Sequence, residues 1–160
     1  REVGVRIIYI QSVRTHQEAE FTVFKYPLIL KLGSWGAEIV DELKPREGDI
    51  VVQKYCHDPF FNTNLDRVLN EVASEPTRYQ VIVTGGGINV CAYHAVMGFY
   101  LRNYWTIVPV DAVYGSEEGT KFALEQFSLG VYPNVFLSRE GLIRFSPESS
   151  AGHFDLVPNT

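Results

Sequence analysis

The stretch that decides the fold reads Val81-Ile82-Val83-Thr84-Gly85-Gly86-Gly87-Ile88-Asn89-Val90-Cys91. Its first three residues form an apolar run, which is typical of a strand buried in a parallel sheet. After the cysteine, apolar side chains recur with the spacing of one helix face, at Ala92, Ala95, Val96 and Phe99. The pattern therefore predicts a strand, a glycine-rich turn and a helix whose first turn contains Cys91.

A cysteine in the first turn of a helix lies in an environment that favours the thiolate. Open backbone N–H groups and the positive end of the helix dipole meet there, and the thiolate is the attacking species in cysteine chemistry. The preceding glycines let the backbone come close to a substrate carbonyl. Cys91 is thus a candidate nucleophile, although the same residues also fit a buried core cysteine behind a tight turn.

Composition and charge restrict the class of protein. The chain has 160 residues, of which 46% are hydrophobic and 21% charged, which suits one globular domain with a core. Its net charge of −5 argues against a nucleic-acid partner, because proteins that bind nucleic acid carry a basic face. The sequence has no apolar run of the ~18 residues that a membrane span needs, and its N-terminus lacks the apolar region of a signal peptide. We therefore expect a cytoplasmic protein with neither nucleic acid nor membrane as partner.

The cysteines and histidines do not form a metal motif. The two cysteines, Cys56 and Cys91, are too few for a disulfide scaffold, and their spacing is not that of a zinc site. The four histidines contain no His-x-x-x-His pair. These residues favour a reducing compartment, and a disulfide between the two cysteines is the alternative.

Short apolar runs alternate with helical patterns along the chain. Such alternation is typical of an α/β protein, here with a mostly parallel, doubly wound sheet in three α/β/α layers. In such sheets the ligand site lies at the carboxyl ends of the strands, where both Cys91 and Lys54 fall. The predicted strands are Val5–Ile10, Asp49–Gln53, Val81–Thr84, Thr106–Val110 and Val135–Leu137.

Four helices are predicted between or after these strands, each from its apolar spacing and its end residues. They are residues 33–43 ended by Pro45, Asn64–Val72 capped by Asn62 or Thr63, the helix that has Cys91 in its first turn and ends near Asn103, and a helix that Ser116 caps and that runs towards Leu129 and Gly130. Residues 139–160 have no clear period. We therefore predict one domain over residues 1–138 and a C-terminal tail or oligomer arm over residues 139–160.

Three segments share their order and spacing with one known family. They are Gly33–Leu43 with Pro45, Gly48 and Asp49; Val51–Lys54 with Phe60, Thr63 and Leu65; and the glycine–cysteine turn with Val108–Ala112. Together they cover roughly residues 5–137. On these residues the chain resembles the isochorismatase-like cysteine hydrolases, which include nicotinamidases and N-carbamoylsarcosine amidase.

The resemblance implies a Cys–Lys–Asp triad that hydrolyses a C–N bond through a covalent thioester. Cys91 matches the nucleophile, and Lys54 matches the lysine that holds the thiolate. Gly86–Gly87 matches a non-proline cis peptide, which would turn the Gly87 N–H towards the oxyanion beside that of Cys91. Phe60 is expected beside the mouth of the substrate pocket.

Several of these residues keep a second interpretation. Lys54 also fits a solvated lysine at a strand end, and Phe60 fits plain core packing. Other polar residues near the predicted site fit either a substrate contact or an ordinary structural position: His57 and Asp58 in the loop after Lys54, Tyr93 and His94 on the helix after Cys91, and Asp111, which the family uses structurally.

The triad aspartate is not visible in this sequence. In the family it ends a first strand that lies in the middle of the sheet, and no segment here supplies an apolar strand ending in Asp and followed by Gln. A sheet without that strand would leave buried backbone groups unpaired, each costing ~1–3 kcal/mol. We expect ~30–45 further N-terminal residues, one strand and one helix, in a segment outside these residues or on another chain that supplies the first strand and the triad aspartate. A divergent, inactive relative is the alternative.

The expected cofactors and partners follow from the same comparison of residues. Nicotinamidases carry an Asp-x-His…His metal site, whereas residues 11–17 here contain His16 alone. We therefore expect no metal, no cofactor and a small-molecule substrate. The leading prediction is an amidohydrolase acting on a small amide or carbamoyl compound, in a homo-oligomer, a dimer or tetramer by family habit. The alternative is a non-catalytic binding or scaffold protein on the same fold. A third class is vinyl-ether cleavage, which needs no thiol, so the presence of Cys91 counts against it.

Overall fold

The computed structural model describes residues 4–138. They fall into two compact units, one of Arg6–Asp66 and one that starts at Arg67 and also includes residues 4 and 5. The predicted tail, residues 139–160, lies outside the described residues.

The unit of residues 6–66 is built on two parallel strands. Strand β1 (Ile8–Ser12) lies beside strand β2 (Ile50–Lys54), with Ile8 opposite Ile50 and Ser12 opposite Lys54. A short helix, α1 (Ala19–Thr22), follows β1. Both predicted strands are confirmed, with bounds that move by one to three residues, as expected where a pattern frays at its ends.

The predicted helix over residues 33–43 is wrong. Two 3₁₀ turns, Trp35–Ala37 and Asp41–Leu43, stand in its place with extended backbone between them. One reason is a competing hydrogen bond, because the Gln11 side chain on β1 donates to the carbonyl oxygen of Ala37 at 2.7 Å. An α-helix would need that carbonyl for the N–H four residues later, and Gly36 lowers the helix propensity further.

The second unit contains most of the alternating elements. Helix α2 (Leu65–Val72) leads into it, and the N–H of Leu65 donates to Thr63 Oγ1 at 3.1 Å. The Thr63 side chain therefore binds the N–H of the first helical residue. The remaining elements are β3 (Gln80–Ile82), β4 (Gly85–Gly86), α3 (Cys91–Leu101), β5 (Trp105–Pro109), β6 (Val113–Tyr114), α4 (Glu117–Ser128) and β7 (Val135–Ser138), with a 3₁₀ turn at Pro76–Arg78.

Parallel pairing dominates this unit as well. Strand β5 lies between β3 and β7, and β4 pairs with β6. Helix α3 packs on β5, and α4 packs on β7. The core is apolar, with Val96, Ile107, Val108 and Ala123 fully buried. The carboxyl end of β3 is therefore followed by the segment that leads into α3, and the carboxyl end of β5 by the segment that leads into α4.

The predicted ends of α3 and α4 are confirmed. Asn103 takes the left-handed conformation (φ 62°) after α3, and Gly130 does so (φ 71°) after α4. The Ser116 side chain accepts the N–H of Gly119 at 3.1 Å and so caps α4.

The described strands pair only in parallel, which confirms the α/β class. They form three separate sheets: β1–β2, β3–β5–β7 and β4–β6. A further central strand stays a prediction. Within residues 4–138, no helix combines the length and apolar character that crossing a bilayer requires.

Candidate active site

The turn that leads to Cys91, residues 85–90, is anchored by backbone hydrogen bonds; we call it the glycine turn. The N–H of Gly85 donates to the carbonyl oxygen of Ala112 at 2.9 Å, and the N–H of Ile88 donates to that of Tyr114 at 2.8 Å. Ile88 is fully buried. The glycine turn is therefore fixed on the segment that joins β5 to α4.

The peptide bond between Gly86 and Gly87 is cis, as the resemblance implied. Position 86 has no room for a side chain, since a Cβ there would lie 2.6 Å from the Tyr114 ring and 2.7 Å from the Tyr114 carbonyl oxygen. The carbonyl oxygen of Gly87 accepts the N–H groups of Val90 (2.9 Å) and Ala92 (3.1 Å). The role of Gly87 as an oxyanion donor stays a prediction.

Cys91 is the first residue of α3, and its side chain is half-buried. The apolar face predicted for this helix is confirmed, because Ala92, Ala95, Val96 and Phe99 are buried. The N-cap residue, Val90, makes no side-chain cap hydrogen bond. The sulfur thus lies at a helix start that has no capping side chain and that favours negative charge.

Lys54 is the last residue of β2 and is only 3% exposed. Its ammonium Nζ donates to the carbonyl oxygens of Cys56 at 2.8 Å and His57 at 3.2 Å. The alternative of a solvated lysine is therefore wrong. Lys54 belongs to the unit of residues 6–66 and Cys91 to the other unit, so their meeting in one triad stays a prediction.

The loop after Lys54 is held by its own hydrogen bonds. Phe60 is 9% exposed, and its backbone N–H donates to Asp58 Oδ1 at 2.8 Å. The Thr63 hydroxyl donates to the carbonyl oxygen of Pro59 at 2.6 Å. The Asp58 carboxylate therefore has a structural partner within the loop, while His57 is exposed. A place for Phe60 at the pocket mouth stays a prediction.

Tyr93, two residues after Cys91, packs between α3 and α4. Its ring stacks on Phe127 with centroids 5.2 Å apart and on Phe122 at 6.3 Å. Its hydroxyl lies 3.5 Å from the hydroxyl of Tyr132. This hydrogen bond and burial raise the pKa of Tyr93 to about 12. Tyr93 therefore has a structural place, whereas its neighbour His94 is exposed.

The Tyr93–Tyr132 pair predicts a measurable change at alkaline pH. Folding raises the pKa of Tyr93 from 10.0 to about 12, so the stability that this phenol contributes is complete below pH 10.0 and is lost as the pH rises towards 12. We expect Tyr132→Phe to remove the highest-pH step from an absorbance titration of the phenols. Tyr114→Phe, at a 69% exposed position, is the control and should leave that step in place. An unchanged final step in Tyr132→Phe would contradict the assignment.

The described residues form no candidate metal centre. Nowhere in residues 4–138 do three His, Cys, Asp or Glu side chains gather closely enough to hold an ion. His16 Nε2 lies 2.9 Å from the carbonyl oxygen of Ile29. Cys56 and Cys91 are both thiols, so the alternative of a disulfide between them is wrong.

The sequence interpretation missed the residues that support the glycine turn from α4. Gly119 is the third residue of α4, in its first turn. A Cβ at this position would collide with the Asn89 side chain. An isolated glycine in a helical pattern is a signal of such a close approach, and it was the signal available in the sequence.

Fold and site together define a parallel α/β protein with a candidate cysteine nucleophile at a strand–turn–helix junction. The sequence model of the isochorismatase family, described as the isochorismatase domain, matches residues 1–134. The chain therefore belongs to the isochorismatase family, as its motifs predicted.

Relatives and solved structures agree with this assignment. A ureidoacrylate amidohydrolase RutB from Serratia proteamaculans is 30% identical over 142 residues, covering 77% of this chain and 55% of that protein. An isochorismatase-like hydrolase from Alkaliphilus metalliredigens has a TM-score of 0.70 at 28% identity, over 82% of this chain and 69% of the other. N-carbamoylsarcosine amidase from Thermoplasma acidophilum has a TM-score of 0.71 at 26% identity, over 88% and 76%. The chain spans about half the length of the curated relatives it matches.

Proposed function

We propose that the protein is a cysteine amidohydrolase that cleaves a C–N bond of a small amide, with N-carbamoyl (ureido) compounds as the favoured class. The observation that carries this proposal is Cys91 at the first residue of α3, directly after the glycine turn. Two similar proteins support the substrate class, because one is named for ureidoacrylate and the other for N-carbamoylsarcosine. Both compounds contain the H₂N–CO–N group.

In the proposed reaction the Cys91 sulfur attacks the carbonyl carbon and forms a C–S bond. The N–H groups of Gly87 and Cys91 donate to the resulting oxyanion, and one such donor is typically worth ~3 kcal/mol of barrier. The C–N bond then breaks, and the nitrogen leaves with a proton as ammonia or an amine. The intermediate is a thioester when the substrate is a simple amide and a thiocarbamate when it is a ureido compound. Water hydrolyses the C–S bond and restores the thiol.

Lys54 and a carboxylate complete the proposed mechanism. The Lys54 ammonium is buried and fixed by two carbonyl oxygens, so it would stabilise the thiolate and the developing negative charge. The aspartate that takes the thiol proton would come from a strand outside residues 4–138. We also propose that the protein forms a homo-oligomer, either a dimer or a tetramer.

Ammonia release from a substrate panel tests the function. The full-length protein is incubated with ureidoacrylate, N-carbamoylsarcosine, nicotinamide and a simple aliphatic amide. We expect kcat/KM for a ureido compound to exceed that for nicotinamide by on the order of tenfold or more, because a site built for a polar group rejects analogues that lack it. No ammonia from any compound, together with equal and slow iodoacetamide labelling of Cys91 and Cys56, would instead favour a non-catalytic binding protein.

A further inference from the structure

The Asn89 side chain occupies space that Gly119 and Gly115 leave open. A Cβ on Gly119 would lie 2.5 Å from Asn89 Cγ and Nδ2, and one on Gly115 would lie 3.0 Å from Asn89 Oδ1. A Cβ on Gly87 would lie 3.4 Å from the same oxygen. The amide of Asn89 therefore rests directly on the backbone at the start of α4, where real side chains would exclude it.

We propose that Asn89 is a positioning residue, which fixes the glycine turn against the first turn of α4 and thereby sets the position of Cys91. This inference rests on the proposed function only in that Cys91 is the nucleophile. Asn89 itself does not need to touch the substrate.

The neighbours of Asn89 show why its packing matters. The N–H of Ile88 is bound to the Tyr114 carbonyl oxygen, and the N–H of Val90 is bound to that of Gly87. These bonds join the turn to β6 and to itself, whereas the Asn89 amide joins it to α4. Cys91 follows two residues later, so a shift of Asn89 is transmitted to the sulfur through one intervening residue.

The start of α4 is held by two hydrogen bonds to Ser116, which lets it act as the support. Ser116 caps the helix through the N–H of Gly119 at 3.1 Å, and the N–H of Thr120 donates to the Ser116 carbonyl oxygen at 2.8 Å. A methyl group at position 119 therefore has to displace Asn89 or the cap, since its Cβ would also lie 2.8 Å from Ser116 Oγ.

A double-mutant cycle in the full-length protein tests the inference. The variants are Asn89→Ala, Gly119→Ala and the two combined, with Ser116→Ala as the control for loss of the cap. We expect Gly119→Ala to lower kcat about tenfold or more with little change in KM, because a nucleophile misplaced by ~1 Å can cost ~10²-fold. Asn89→Ala should lower kcat as well. The combined variant should match Asn89→Ala, since no amide is left to displace.

Three results would overturn the inference. Gly119→Ala could keep the wild-type kcat, the two losses could multiply in the combined variant, or Ser116→Ala could reproduce the loss of Gly119→Ala. If the wild-type protein releases no ammonia from any amide, the proposed function fails, and the cycle is read from the iodoacetamide rate of Cys91 relative to Cys56. The inference is supported if this ratio differs from wild type in Gly119→Ala and if Asn89→Ala and the combined variant have the same ratio as each other. It is overturned if the ratio is identical in the wild type, the two single variants and the combined variant.

Discussion

Replacing Cys91 by alanine in the full-length protein is expected to lower kcat for the preferred amide by about 10³-fold or more. The sulfur is the atom that forms the covalent intermediate, so no other group can take its part in the first step. The substitution removes a single half-buried atom, and the apolar face of α3 does not depend on it. The free energy of unfolding should therefore change little, and the loss should fall on kcat.

Cys56→Ala is the matched control for this loss. Cys56 is the other cysteine of the chain, and its thiol interacts with the carbonyl oxygen of Asp58 at 3.4 Å. Its removal should leave kcat within a few-fold of wild type. Intact-protein mass spectrometry during turnover should show an acylated wild-type protein and no adduct on Cys91→Ala. A Cys91→Ala protein that keeps more than a tenth of wild-type kcat would show that the thiol is not the nucleophile.

Replacing Lys54 by methionine is expected to lower kcat by on the order of 10²–10³-fold, the scale on which one electrostatic contact to developing charge acts. Methionine keeps most of the side-chain volume and removes the charge. It also leaves the carbonyl oxygens of Cys56 and His57 without their donor, at a cost of ~1–3 kcal/mol for each carbonyl that stays buried. Activity and the free energy of unfolding should both fall.

The control for Lys54→Met is Lys121→Met, because Lys121 has a side chain that is 75% exposed on α4. It should change neither quantity measurably, as exposed ion pairs contribute little. The pH dependence of iodoacetamide labelling at Cys91 separates the role of the charge from a folding defect. If Lys54→Met is folded and Cys91 is alkylated with the wild-type pH dependence, Lys54 does not stabilise the thiolate.

The elements that the sequence predicted correctly carry strong local signals. Helix α3 has an unbroken apolar face, and α4 has a serine cap and a closing glycine, so neighbouring residues fix both. Strands β4 and β6 were missed because two residues have no detectable period. The helix over residues 33–43 was predicted wrongly because Gln11, distant in sequence, bonds a carbonyl in its middle. Local patterns do not report such competition.

The site divides in the same way. The positions of Cys91 and Lys54 at the ends of strands follow from the order of the elements. The packing of Tyr93 on α4 depends on contacts between segments that lie apart in the chain. The carbonyl oxygens that hold the Lys54 ammonium lie two and three residues further along the chain, and no side-chain pattern indicates which ones they are. Asn89 is the clearest case. Gly119 indicates that something approaches α4 closely, but the Asn89 side chain, between two apolar residues, carries no signal that it is the partner.

The sequence by itself determined the α/β class, from the alternation of short apolar runs and helical patterns. It also determined the glycine turn and the helix whose first turn contains Cys91, since these depend on side chains that are near neighbours in the chain. The tertiary structure decided which rings cover Tyr93 and which backbone supports Asn89. The physical reason is range: propensity and periodicity act between near neighbours, whereas packing and buried hydrogen bonds are settled only when distant segments meet.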